Sequence, residues 1–369
     1  MTSFTNEEIS RIWLSYSDMT PAKKTAIIST YGSAYGFARS FKSGMREVLP
    51  EGAFAELDRM RDKTVLANAL NEINRLGIRV LTPESKHMPE TLMNLADAPL
   101  LLYFLGDESL LSSPRSIAII GTRSPSAYGS MMASAIAASL AKYGATVVSG
   151  LARGIDMTAQ EAVVNAGGKT IAVLGNGIDS IYPPENEPLK RRILESGGLI
   201  LSEYPPGTPP KKHHFPQRNR IISVLSQGVL LIEGKINGGG IITVGHALEQ
   251  GKDVFVLPGR AHHELYEAPH KLIRDGARLV TGGEDIAEDM GWEPPEADLT
   301  VREQMTPEQE IIVGLLTNDE LSFDELADKT GLPAAGLSSV LTILELMGII
   351  RQSAGRMYMK VKKHPPQHQ

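Results

Sequence analysis

The feature that most restricts this chain is a rhythm that begins at residue 116. SIAIIG, ATVVSG, KTIAVLG, GLILSEY, GVLLIEG, KDVFVLPG and ARLV are short apolar runs, most of them closed by glycine or a polar residue, with helix-length segments between them. A strand buried on both faces needs a continuous apolar run, and parallel neighbours need a crossover connection. The pattern therefore predicts an α/β fold built on a parallel sheet. Loops leaving the carboxyl ends of such strands gather along one edge, above all where the strand order reverses. GTR, SGLARG, LGNG, SEYPPG, EGKINGGG and LPGR are thus candidate lips of one site.

The flanks read differently. Residues 1–75 carry short apolar stripes, as in EEISRIWLSY and DKTVLANALNEINRLG, that predict a small helical N-terminal domain, with Pro21 in a first turn. LGIRVLTPE then reads as a short strand or connector, and ETLMNLADAPLLLYFLG is apolar enough to pack on the next domain. The core is expected over 76–290 and a Pro-rich, acidic linker over 291–300. A C-terminal domain over 301–363 precedes a tail at 364–369. In it, TPEQEIIVGLL, SFDELADKTG and PAAGLSSVLTILELMG read as three helices and IIRQSAGRMYMKV as a hairpin, the parts of a winged helix-turn-helix. Ser322 and Glu325 are placed for a capping box. The segment in the recognition-helix position has almost no cation, so a protein-contact role is as well supported as DNA reading. Arg351, Arg356, Lys360, Lys362 and Lys363 give the wing and tail some positive charge.

Charge narrows the function classes. A net charge of -6 argues against coating duplex DNA by bulk attraction. Its distribution is uneven: Arg115–Gly283 holds 18 Lys and Arg against 13 Asp and Glu, whereas 301–363 holds 7 against 9. The middle is the better anion binder. With no cysteine there is no thiol nucleophile or disulfide framework. No apolar stretch is long enough to span a bilayer, and a cytoplasmic location is expected.

Several segments bear candidate groups. Gly121, Thr122 and Arg123 leave the first strand and lead into a helix, where backbone amides and a helix N-terminus favour an anion. Arg123 is either a phosphate contact or a surface partner for an acid. In SGLARGID, Gly150 turns the chain, Gly154 permits a close backbone approach, and Arg153 or Asp156 can point into the same crevice. Asp156 also suits helix capping. In KKHHFPQRNRII, Lys212, Arg218 and Arg220 can meet phosphates, Asn219 can order a loop or read a base edge, and Phe215 can stack on an unpaired base. The competing arrangement buries Phe215 and pairs Arg220 with Glu203 or Glu233. Gly238, Gly239 and Gly240 offer a nest of amides. The dinucleotide fingerprint, the P-loop, G-x-S-x-G and H-E-x-x-H are all missing. No catalytic residue, cofactor or metal site is expected, and adjacent His213 and His214 are not expected to converge on one ion.

Together, GTRSPSAYG, SGLARGID, IAVLGNGIDSIYPPEN, LSEYPPG, FPQRNRII, VFVLPG and LIRDGARLV closely resemble the DNA-processing protein A (DprA/Smf) family. The resemblance is strong over about residues 70–283. It implies an extended Rossmann-like parallel-sheet core that binds single-stranded DNA, an N-terminal domain of the SAM or helix-hairpin-helix kind, and a C-terminal winged-helix-like domain. It further implies a homodimer that helps load RecA recombinase during natural transformation, with single-strand-binding protein as a further partner and no established catalytic reaction. Carried onto matching positions, Arg123 and Lys212 resemble phosphate contacts, Phe215 the base-stacking ring, SGLARG the pocket wall, and Arg218, Asn219 and Arg220 the family's RNR segment, whose role is either DNA contact or support of the pocket. Three departures stand out. Gln160 replaces a common histidine, Gly238–Gly240 replace a Ser-Gly-Ser, and Ala268-Pro269-His270 replace Gly-x-Asn. Two other functions fit the residues alone: an enzyme acting on a nucleotide or phosphosugar through an acid such as Glu233, and a protein-interaction adaptor.

Overall fold

The computed structural model describes residues 4–293, 306–316, 320–346, 349–353 and 357–360. It divides into two compact units that meet at residue 294/295. The linker from residue 294 onward, the tail at 364–369, and Arg356, Lys362 and Lys363 of the wing lie outside the described residues.

The first unit opens with helices α1 (Asn6–Ser15), α2 (Pro21–Tyr31), α3 (Ala34–Ser40), α4 (Glu51–Met60) and α5 (Lys63–Arg75). Thr5 and Glu8 form a capping box on α1, and Thr20 with Pro21 starts α2. An aromatic cluster of Trp13, Phe37, Phe41 and Phe54 packs among these helices. Its rings meet tilted, edge to face or stacked, at centroid separations of 5.3–5.9 Å.

Nine strands follow: β1 (Arg79–Leu81), β2 (Leu102–Gly106), β3 (Ser116–Ile120), β4 (Thr146–Ser149), β5 (Thr170–Leu174), β6 (Leu199–Ser202), β7 (Gly228–Leu231), β8 (Asp253–Val256) and β9 (Arg278–Leu279). They form one sheet in the order β1-β2-β6-β5-β4-β3-β7-β8-β9. Each of the seven apolar runs forms a strand, and these seven are mutually parallel. Two further strands extend this parallel array. β2 pairs antiparallel with both β1 and β6, so the sheet is mixed. Leu102–Gly106, read as a packing segment, extends the β6 edge that a parallel array would otherwise leave unpaired.

The helices between the strands are α6 (Glu90–Met93), α7 (Ala127–Lys142), α8 (Ile155–Asn165), α9 (Glu187–Glu195), α10 (His214–Val224), α11 (Gly239–Glu249) and α12 (Glu267–Arg274), and α13 (Gly283–Asp289) follows β9. β3 shows why both faces are covered. Ile117 and Ile119 join the core beneath α7 and α8, while Ala118 and Ile120 join the core on the opposite face with Ile221 and Ile222 of α10. From β3 the chain winds outward to β6, returns through α10 to β7, and winds the other way to β9. Strand order therefore reverses between β3 and β7, where a crevice opens at the carboxyl ends of the strands.

The second unit holds α14 (Pro307–Leu315), α15 (Phe323–Thr330) and α16 (Ala334–Leu346), with β10 (Leu321–Ser322), β11 (Ile350–Ser353) and β12 (Met357–Lys360) in a small sheet ordered β10-β12-β11. The Ser322–Glu325 capping box forms on α15. Ile312, Leu326, Leu337, Leu341, Leu344 and Tyr358 fill the core of this winged-helix-like unit.

Candidate functional site

The crevice encloses about 640 Å³ between the β3 exit, the first two turns of α10 and the loop that enters α11. Of the sequence-predicted residues, Arg123, Lys212, Phe215, Arg218, Asn219, Gly238, Gly239 and Gly240 line it together. The phase of α10 decides which side chains of KKHHFPQRNRII face inward. A helix turns about 100° per residue, so Phe215, Asn219 and Ile222, at i, i+4 and i+7, share one face. Lys212 extends that face from just before the helix.

Phe215 is half-buried, with one side of its ring against Gly175. A Cβ at Gly175 would lie 2.8 Å from Phe215 Cδ1, so only glycine lets the ring lie there. The Arg123 guanidinium stands 5.3 Å from the Phe215 centroid, within cation–π range. Tyr182 approaches the same ring at 5.7 Å while remaining 45% exposed. Arg123 and Lys212 are both exposed, and among the described residues neither has a carboxylate partner. Nearby cations differ: Lys211 pairs with Asp18 at 2.7 Å, Lys235 with Glu264 at 2.7 Å, and Arg153 with Glu185.

Arg153 stands on the flank of the crevice, in a small recess shared with Arg123, Tyr182 and Phe215. Gly154 holds φ +83°, and a Cβ there would overlap the Thr122 carbonyl and the Arg123 backbone. It locks the SGLARG loop against GTR. Gly150 is buried, its carbonyl accepting from Arg218 Nη1 at 2.8 Å. These two glycines shape the site from behind and do not line it.

Arg218 and Arg220 are buried, the arrangement of the pocket-support alternative rather than of an exposed phosphate contact. Two residues apart on α10, they point about 200° apart. Arg220 is 2% exposed and faces away from the crevice, bound to Glu203 at 2.9 Å and to Asp97 at 2.8 Å. Arg218 is buried in the crevice floor, its Nη1 donating to the carbonyls of Gly150 and Val173. Burial pulls its pKa down to about 10, with Asp156 opposing that shift, so it stays charged at neutral pH. Asp156 is buried as well, and burial raises its pKa despite the attraction of Arg218. It accepts from the Gly150 amide at 3.1 Å, bracing the preceding loop rather than capping α8 as its N-cap residue.

The glycine nest is also narrower than expected. The Gly238 amide turns inward to the Lys235 carbonyl at 2.9 Å. Gly239 and Gly240 occupy the first positions of α11, where amides have no intrahelical acceptor. Asn219 Nδ2 donates to the Gly239 carbonyl at 3.3 Å, so Asn219 orders this loop.

The departures at Gln160 and His270 have structural roles. Leu151 holds φ +51°, a strained conformation for leucine. Its amide donates to Gln160 Oε1 at 3.0 Å, while Gln160 Nε2 donates to Thr170 Oγ1 and the Ile171 carbonyl. Gln160→Leu would leave the buried Leu151 amide without this acceptor, while Thr170 Oγ1 keeps its bond to the Val147 carbonyl. It is expected to lower unfolding stability by about 2 kcal/mol, measured by urea denaturation. His270 Nε2 lies 3.1 Å from the Gly259 carbonyl and supports the LPGR loop. That loop opens instead on a neighbouring recess lined by Tyr128, Arg260, His263 and Tyr266.

Glu233 is fully buried, accepting from the Ser126 amide at 2.9 Å, the Ser126 hydroxyl at 2.5 Å and the Tyr266 hydroxyl at 2.6 Å. The acid required by the enzyme reading is thus engaged in holding the start of α7. Tyr182, Lys235 and Asn237 line the crevice but were not singled out from sequence. The available signal was the YPPEN stretch after a strand exit for Tyr182, and the approach to the glycines for the other two.

The family described as DNA recombination-mediator protein A matches residues 79–291, and a DprA winged helix domain matches residues 293–356. Protein Smf of Escherichia coli (strain K12) is 37% identical over 295 residues, covering 77% of this chain and 78% of the relative. DNA processing protein DprA of Bacillus subtilis (strain 168) is 41% identical over 225 residues, covering 61% and 75% respectively. Among solved structures, DNA processing protein A of Streptococcus pneumoniae aligns with a TM-score of 0.59 at 33% identity, covering 78% of this chain and 98% of that one. A structure of DNA processing protein A from Helicobacter pylori, described for its single-stranded DNA binding mode, aligns at 0.52 and 33%, covering 57% and 95%.

Proposed function

Because the chain belongs to the DNA recombination-mediator protein A family, we propose that its central crevice binds single-stranded DNA and that the protein brings such strands to RecA recombinase during natural transformation. The observation that carries this reading is the grouping of Arg123 and Lys212, both without a carboxylate partner among the described residues, around the half-buried Phe215 ring. Two cations beside a half-buried ring suit a strand whose phosphate oxygens meet the cations and whose unpaired base packs on the aromatic group. In a duplex the bases are already stacked on one another, so the ring has nothing to receive. The Helicobacter pylori relative's single-stranded DNA binding adds support at the level of the family.

The parallel part of the sheet reads as an extended Rossmann-like core, with its ligand at the β3/β7 reversal. A homodimer, with single-strand-binding protein as a further partner, belongs to the same proposal. The winged-helix-like unit favours protein contact. α16 carries Glu345 and no lysine or arginine, which leaves it without a cation for a phosphate.

Titrating a labelled short single strand, and the same sequence as duplex, against the protein at low salt tests the reading. Preferential binding of the single strand is expected, and equal affinity for both forms argues against it. Phe215→Ala is expected to weaken single-strand binding by about 1–3 kcal/mol if one base is fully engaged, with the salt dependence unchanged.

A further inference from the structure

Asp18, in the connection between α1 and α2, lies beside the first turn of α10, and one ligand atom each of Asp18, His213 and His214 falls within 4.8 Å of the others. The adjacent histidines converge because His213 is the N-cap residue and His214 the first residue of α10, their rings nearly perpendicular at 81°. His214 is held in place: it stacks on Tyr204 at 3.9 Å, and its Nδ1 lies 3.2 Å from the Gly175 carbonyl. A carbonyl only accepts, so Nδ1 carries the proton and Nε2 the lone pair that a metal takes. A backbone carbonyl on the other ring nitrogen is a common support for a ligating imidazole. Lys211 fixes the Asp18 carboxylate through Oδ2, leaving Oδ1 turned toward His213 Nε2 at 3.9 Å.

We propose that Asp18, His213 and His214 form a binding site for a divalent transition-metal ion of the zinc class. Two imidazoles and a carboxylate are a ligand set for such an ion, and solvent completes its coordination. The bound ion ties the N-terminal helical domain to the start of α10, which carries Phe215 and follows directly on Lys212. The site stands independently of the single-stranded DNA reading, since its ligands do not line the crevice.

The test titrates Zn²⁺ calorimetrically, and Co²⁺ by its visible absorption, into the metal-free full-length protein and into Asp18→Asn, His213→Gln and His364→Gln/His368→Gln variants. Asp18 and His213 are exposed, so these changes leave the core intact. The expected result is one saturable equivalent in the parent and in the tail variant, with affinity lowered roughly tenfold or more in Asp18→Asn and in His213→Gln. Absence of saturable binding overturns the proposal, as does binding that is unaffected by both single changes or lost only with the tail histidines.

Discussion

Replacing Arg123 and Lys212 together by alanine is expected to weaken single-strand binding on the order of 100-fold, from about 1.5 kcal/mol at each charge-assisted hydrogen bond. Both side chains are exposed and have no carboxylate partner among the described residues, so their removal leaves no buried acid uncompensated. Unfolding stability should therefore stay within about 0.5 kcal/mol of the parent. The logarithmic salt slope should fall by about 0.7 for each phosphate that the variant no longer neutralises. Fluorescence anisotropy across a salt series reads both quantities. A large drop in affinity with an unchanged slope would mean that the two residues act through the shape of the crevice rather than through charge.

The second large effect concerns stability. Arg218→Met should lower unfolding free energy by about 3 kcal/mol, because it leaves the Gly150 and Val173 carbonyls and the buried Asp156 without their cationic partner. Arg220→Met should also destabilise, since Glu203 and Asp97 lose their shared guanidinium. The two variants separate in solution: folded protein recovered from Arg218→Met should show altered single-strand affinity, because the crevice floor has changed, whereas Arg220→Met should bind as the parent does. Urea denaturation followed by circular dichroism, with binding measured on the folded fraction, distinguishes them. Equal loss of binding in both would place Arg220 in contact with the ligand after all.

The sequence was most informative where burial leaves a continuous local mark. The strands β3 to β8 were legible because a strand covered on both faces must be apolar throughout, and a glycine or polar exit marks where it leaves the sheet, whereas the edge strand β9 is exposed. β2 was less legible, since its apolar run looks the same whether it packs on a sheet or joins one. Its partner β6 lies about a hundred residues away, and only tertiary structure fixes the antiparallel pairing. The cationic-aromatic segment was legible as a set of residue types but not as a set of directions. Once 214–224 is known to be one helix, its phase sends Phe215 and Asn219 to the crevice, Arg218 to the floor and Arg220 to the far side. The meeting of Asp18 with His213 joins positions 195 residues apart and leaves no local signal. Glu233 looked available because sequence does not reveal that Ser126 and Tyr266 already occupy its oxygens.

The central claim is that an exposed base rests on Phe215 while its backbone passes Arg123 and Lys212. It is tested most directly by photocrosslinking a short single strand carrying one 5-iododeoxyuridine, followed by peptide mapping of the attachment point. The account predicts attachment at Phe215 or at its neighbour Tyr182, reduced when excess unlabelled single strand is added. Crosslinks found only in the winged-helix-like unit, or only on surfaces outside the crevice, would contradict it.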